Sequence, residues 1–150
     1  MIMAEILHRI GIRNTTLERV FATLTTIEGL AGWWTTDTYG IADREDGILQ
    51  FRFGAGGFDM KVVKFEPPHQ VHWEVIALEK EWIGTTIRWE LKQEGDFIIV
   101  LFSHLHWKEA TEFMRHCSTK WAIFLMSLKA LVETGTGSPN PRDIKIDNWN

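Results

Sequence analysis

His104 and His106 stand two apart in Phe97–Trp107, a strand-like stretch rich in apolar residues. On a strand that spacing turns both imidazoles to one face, which is the beginning of a metal site. A third ligand would have to be Glu74 or His116, and no HExxH, CxxC or carboxylate cluster accompanies the pair. The plainer reading has His104 facing an interior and His106 near its rim, with no metal bound. Cys117, the only cysteine, could act as a nucleophile beside His104 if their elements pack together. A single cysteine in an apolar stripe is otherwise a small buried hydrophobe. Glu74 and Glu90 could be an acid/base pair, but they share strand parity with His72, Arg88 and Lys92, the pattern of a solvated sheet face. Gly54-Ala55-Gly56-Gly57 lacks the lysine and hydroxyl residue of a phosphate loop and precedes a strand-like stretch. It reads as a hairpin tip, placed to gate entry to a cavity beside it. These residues assign no catalytic group, no metal and no cofactor.

What remains is aromatic surface: eight Trp, nine Phe and one Tyr in 150 residues. So much flat apolar area must fill a core, line a cavity or form an interface. The length is that of about one domain, 1–150, and suffices to bury a core without disulfides. One cysteine cannot form an internal disulfide, so a reducing, cytoplasmic setting is the expectation. Twenty acidic against sixteen basic side chains give a net charge of −4 without a Lys/Arg cluster, so no nucleic-acid partner is expected. The longest apolar runs, Phe97–Phe102 and Ala122–Met126, are far short of the ~20 residues that cross a bilayer, and no membrane insertion is expected. Met1-Ile2-Met3-Ala4-Glu5 has neither the basic nor the apolar stretch of a signal peptide.

The elements that must position these groups follow from periodicity. Glu5–Arg13 alternates as a strand. Thr15-Thr16-Leu17-Glu18 reads as a capping box with Thr15 at the cap, followed by Leu17, Val20, Phe21 and Leu24 on one helix face. That helix ends near Thr26, and a second helical stretch, Ile27 to Gly32, leads into Trp33-Trp34. From Tyr39 to Trp107 the period is two, with breaks at Asp46-Gly47, Gly54–Gly57, Pro67-Pro68 and Glu94-Gly95-Asp96. Short links between consecutive strands predict an antiparallel sheet. From Glu109 to about Thr134, Phe113, Cys117, Trp121, Phe124, Leu125, Leu128 and Leu131 form a helical stripe roughly 39 Å long. Gly135 supplies the helix stop, and residues 137–150 read as an irregular C-terminal arm.

A sheet of about six or seven strands with one apolar face needs a cover, and only the C-terminal helix is long enough. The fold expected is α+β: a curved antiparallel sheet wrapped around that helix, with two short helices after the first strand. Parity sends Trp73, Val75, Ile87, Trp89, Val100, Phe102 and His104 inward to meet Cys117, Trp121, Phe124 and Leu125. The opposite parity leaves Ile99, Leu101, Leu105, Ile76 and Leu78 as an outer apolar patch. The arm, with Ile144, Ile146 and Trp149, could cover that patch, or a homodimer could bury it.

Several local patterns, in order, resemble a known family. They are Thr15 to Phe21 (TTLERVF), Leu30 to Trp34 (LAGWW), Glu66 to Trp73 (EPPHQVHW), Phe102-Ser103-His104 with Trp107, and Leu128 to Gly137 (LKALVETGTG). Together they are similar to the START/Bet v 1-like (SRPBCC) superfamily, and within it to the Aha1-like group, named for the activator of Hsp90 ATPase. The resemblance covers about residues 5–137 and implies the helix-grip fold. This chain carries His106 where that group usually has a glycine before the strand-end tryptophan. The eukaryotic co-chaperone of the group has an additional N-terminal domain without a counterpart in these residues.

The resemblance implies a cavity between sheet and C-terminal helix for a small hydrophobic or aromatic molecule. The residues expected to line it are Trp33, Trp34, Phe53, Met60, Trp73, Val75, Ile87, Trp89, Phe102, His104, Cys117, Trp121 and Phe124, with Trp73, Trp89 and Trp121 ringing the hollow and His104 offering a hydrogen bond. Two other expectations stand beside this one. The first is a polyketide cyclase or aromatase using His104 as a proton shuttle, and the second is an interaction module for a chaperone of the Hsp90 type.

Overall fold

The computed structural model describes residues 4–150; the signal-peptide reading of Met1–Met3 lies outside the described residues. Along the chain run β1 (Ala4–Arg13), α1 (Leu17–Thr25), α2 (Ile27–Trp33), β2 (Asp37–Gly40), β3 (Ile48–Phe53), β4 (Gly56–Glu66), β5 (Gln70–Leu78), β6 (Thr86–Glu94), β7 (Phe97–Trp107) and α3 (Glu112–Thr134). The strands form one seven-stranded sheet in the order β1-β7-β6-β5-β4-β3-β2, antiparallel throughout. The sheet curves around α3, giving the α+β helix grip that the residue pattern implied.

Parity decides which side chains meet α3. Along β5 and β6, Val71, Trp73, Val75, Ile87, Trp89 and Leu91 are buried, while Glu74, Glu90 and Lys92 face solvent. The period fails at one place. On β7 the inward set runs Ile98, Val100, Phe102, His104, and then His106 is exposed and Trp107 buried. Between Ile6↔His104 and Ala4↔Trp107, β7 has one residue more than β1, a bulge, and His106 adopts φ +70° within it. That conformation favours glycine and is uncommon for other residues. The bulge turns Trp107 into the core and sends His106 outward, so His104 and His106 do not share a face.

Two helix starts differ from expectation. Thr16, not Thr15, caps α1, its hydroxyl accepting from the Arg19 amide at 3.2 Å. Arg19 thus stands at the position where a capping-box carboxylate would reach back, and the Thr15 hydroxyl is left buried without a partner. The long helix begins at Glu112 rather than Glu109 because Thr111 supplies the cap, accepting from the Met114 amide at 3.1 Å. It spans 23 residues, about 34 Å, and ends at Gly135 in the left-handed conformation at φ +88°.

The arm does not cross the outer sheet face. Asn140 pairs with the chain after α2, its amide donating to Trp34 O at 2.7 Å. Asp143 and Lys120 of α3 form a buried ion pair, and Lys120 Nζ also donates to Ile144 O at 2.8 Å. His116 Nδ1 meets Asp147 Oδ2 at 2.7 Å, and Trp149 lies against Phe113 and His116. Among the described residues nothing crosses the outer face, and it is not one continuous apolar patch. Ile99 is buried in register with Gly11 and Lys92, where the missing Gly11 side chain admits the Phe97 ring. Arg88, Thr86 and Glu74 separate Leu7, Leu101 and Leu105 from exposed Ile76 and Leu78.

Candidate ligand-binding site

The space under the middle of α3 is solid. Trp73 and Trp89 touch at 5.7 Å between ring centroids, Trp89 and Trp121 at 6.0 Å, and Phe102 and Trp121 at 4.4 Å. Trp33 closes on Trp89 at 5.5 Å and anchors its own N–H to Thr23 O at 2.9 Å. Four indoles and a phenyl ring consume the volume in which a hollow was expected, and Met60, Val75 and Ile87 are packed with them.

The hollow lies to one side, at the end of the grip where the β3–β4 and β5–β6 connections meet the first half of α3. It is a cavity of about 590 Å³. Its floor is Trp34, Trp82 and Trp121. Phe53 and Phe58, flanking the two-residue Gly54-Ala55 turn, form one wall, and Phe113, Cys117, Lys120 and Phe124 of α3 form the other. Glu79, Glu81, His116, Trp149 and Asn150 stand around the mouth. Trp82 joins floor to wall, stacked on Phe58 at 3.7 Å and on Trp121 at 5.8 Å.

Of the residues expected to line a cavity, the structure brings Trp34, Phe53, Cys117, Trp121 and Phe124 to it. Trp33, Met60, Trp73, Val75, Ile87, Trp89, Phe102 and His104 lie beneath it, in the packed interior.

His104 is committed elsewhere. Trp121 Nε1 donates to its Nδ1 at 3.2 Å, and its Nε2 lies 2.8 Å from Thr85 Oγ1. An indole can only donate, so Nδ1 carries no proton. The Thr85 hydroxyl gives its own proton to Trp82 O at 2.6 Å, so Nε2–H donates to Thr85. The chain of bonds fixes the tautomer and leaves the imidazole no free lone pair or N–H for a ligand. Burial lowers its pKa to about 3. His104 thus locks the β5–β6 connection, which carries Trp82, to α3.

Cys117 has no such partner. Burial pushes its thiol up to about 12, with the Glu79 and Glu81 charges adding to it. At neutral pH the group is a thiol and a weak nucleophile. His106 is exposed, with Nδ1 3.2 Å from Thr86 Oγ1. Among the described residues no three His, Cys, Asp or Glu side chains gather as metal ligands.

This geometry can be set beside known proteins. A family model described as activator of Hsp90 ATPase homolog 1-like protein matches residues 14–133. The chain belongs to this family. The Aha1-like chain is similar to a protein from Colwellia psychrerythraea whose solution structure is described as an Aha1 dimer: 42% identity, 89% of this chain and 99% of that one covered, TM-score 0.82. It shares the fold of CalU16 from Micromonospora echinospora at 18% identity, covering 91% and 76% of the two chains with TM-score 0.68. DynU16, from the dynemicin biosynthetic locus, shares it at 16% identity over 89% of this chain and 48% of that one, TM-score 0.72. No curated protein matches the chain. Among the described residues, no helix of this Aha1-like domain is long and apolar enough to cross a membrane.

Sequence reasoning passed over Trp82, Phe58, Phe113 and the rim. Trp82 sits in Glu79-Lys80-Glu81-Trp82-Ile83-Gly84, where no period exists to assign it a face. The available signal was the cost of leaving an indole in a polar loop, since such a ring is normally buried. Phe113 was on the helical stripe, and Phe58 opened a strand; their place at the cavity follows only from where the strands end. Lys120 reads as one charge beside the stripe, and its partner Asp143 is in an arm that shows no pattern at all.

Proposed function

We propose that this Aha1-like domain binds a small, mostly apolar aromatic molecule in the cavity between the first half of α3 and the β3–β4 and β5–β6 connections. The observation that carries the reading is the cavity itself: about 590 Å³, walled by aromatic rings with a few polar groups at the mouth. Ligand sites are typically of this size and composition. Burying ligand surface there contributes roughly 25 cal/mol per Å² of apolar area before ordering costs. Binding is favoured over a reaction routed through His104, because that imidazole is saturated and lies below the floor. A titration with fatty acids, sterols, flavonoids and polyketides, read by tryptophan quenching, tests this. A ligand that quenches wild type and is weakened in Cys117→Phe, whose ring projects into the cavity, supports the reading; no quenching by any class, or quenching unchanged in Cys117→Phe, overturns it.

A second reading concerns assembly. The Colwellia protein's description as a dimer and the uncovered outer face support association of two copies through Leu7, Leu101 and Leu105 with Ile76 and Leu78. Sedimentation velocity at micromolar concentration should then give a dimer that Leu7→Glu with Ile76→Glu converts to monomer. A monomeric wild type rejects it.

A further inference from the structure

Resting on the binding reading above, we propose that the ligand is a planar aromatic molecule carrying a cationic group, an ammonium or its equivalent, held at the mouth by Glu79 and Glu81. Of the charged residues on the cavity lining, Lys120 is already spent: it is buried against Asp143 and the Ile144 carbonyl. His116 is engaged by Asp147. Glu79 and Glu81 enter none of the ion pairs among the described residues. They lie just before Trp82 in sequence, so the loop that delivers an indole to the floor also delivers two carboxylates to the rim.

Both carboxylates are held in place. Glu81 Oε1 accepts from the Thr111 hydroxyl at 2.7 Å, tying it to the start of α3, and Glu79 Oε1 accepts from the Glu81 amide at 3.3 Å. Among the described residues, neither second oxygen has a hydrogen-bond partner. A cation at the mouth would face these oxygens and, on its other sides, the aromatic rings of Trp149 and Phe113. An anion would meet two carboxylates and find no unpaired cation on the lining. In an apolar, partly enclosed site such unbalanced charge discriminates more than it would in bulk water.

The test is calorimetric titration of the full chain with three naphthalene probes of one shape: 1-naphthylmethylamine, 1-naphthylmethanol and 1-naphthoic acid. The amine is expected to bind about tenfold tighter than the alcohol, and the acid weakest. In Glu79→Gln/Glu81→Gln the amine's advantage should vanish while the alcohol binds as before, which also shows the variant folded. Equal affinity for amine and alcohol, preference for the acid, or an amine advantage that survives the double variant overturns the cationic assignment and leaves the binding reading standing. Failure of all three probes to bind overturns both.

Discussion

One grip, formed by one sheet and one helix, is solid over half its length and hollow over the other. The tryptophans divide evenly between the halves: Trp33, Trp73, Trp89 and Trp107 lie in the packed interior, and Trp34, Trp82, Trp121 and Trp149 line the cavity. The difference is not one of composition, since both halves are aromatic. In the solid half, Trp73, Trp89 and Phe102 arrive from the middle of strands that face α3, joined by Trp33 from the end of α2 and Trp107 from the end of β7. At the hollow end the rings of α3 meet Phe53 from a strand terminus, Trp34 from the end of α2, Trp82 from a loop and Trp149 from the arm, elements whose spacing is not set by the ladder. A sheet packs its middle by pleat and register, and its ends only as well as its connections allow.

That contrast can be broken most forcefully from the solid side. Trp89→Ala should cost about 3–5 kcal/mol of unfolding free energy, the range for truncating a fully buried large aromatic, with the urea midpoint as readout. A loss under 1 kcal/mol would mean the interior is loose.

His104 gives a pH-dependent version of the same test. Its pKa is lowered to about 3 from an ordinary 6.5, so between these values the unfolded chain binds a proton that the native chain refuses. Its contribution is whole above pH 6.5 and is lost as pH falls toward 3, at about 1.4 kcal/mol per pH unit in mid-window. Urea melts of wild type and His104→Gln from pH 7 to 4 should show their stability difference shrinking on acidification. A difference independent of pH would contradict the neutral, fully bonded imidazole.

At the boundary between the halves, Lys120→Met should cost about 2 kcal/mol by leaving Asp143 buried with Lys145 alone, 3.0 Å away. Adding Asp143→Leu should restore most of it, and limited proteolysis should find residues 137–150 released in the single variant. Smallest in stability is Trp149→Ala at the rim, within about 0.5 kcal/mol by thermal melting because the ring is half exposed. Its effect should fall on ligand affinity, read by the amine titration, since its ring forms part of the mouth.

The solid half was legible in the sequence because its signals repeat. The inward set from Trp73 to Leu125 follows from a period of two on strands and 3.6 on the helix, and all eleven of its members are buried, although Cys117, Trp121 and Phe124 also reach the cavity. The double tryptophan, the proline pair and the glycine at the end of α3 sit at element boundaries, as their backbone constraints require. The hollow half was not legible, because a cavity is set by what fails to fill it. Trp82 has no periodic neighbours, His106 breaks parity through a bulge that spacing cannot announce, and Lys120 depends on Asp143 twenty-three positions on. Choosing Thr15 over Thr16 shows the same limit at one residue: adjacent hydroxyls offer the same cap, and packing selects between them.

The most direct measurement of the central claim uses the indole N–H resonances, one for each tryptophan. In 15N–1H spectra, saturating 1-naphthylmethylamine should shift the signals of Trp34, Trp82, Trp121 and Trp149 and leave those of Trp33, Trp73, Trp89 and Trp107 in place. Shifts concentrated on the second group, or spread evenly over both, would contradict a solid interior beside a single binding cavity.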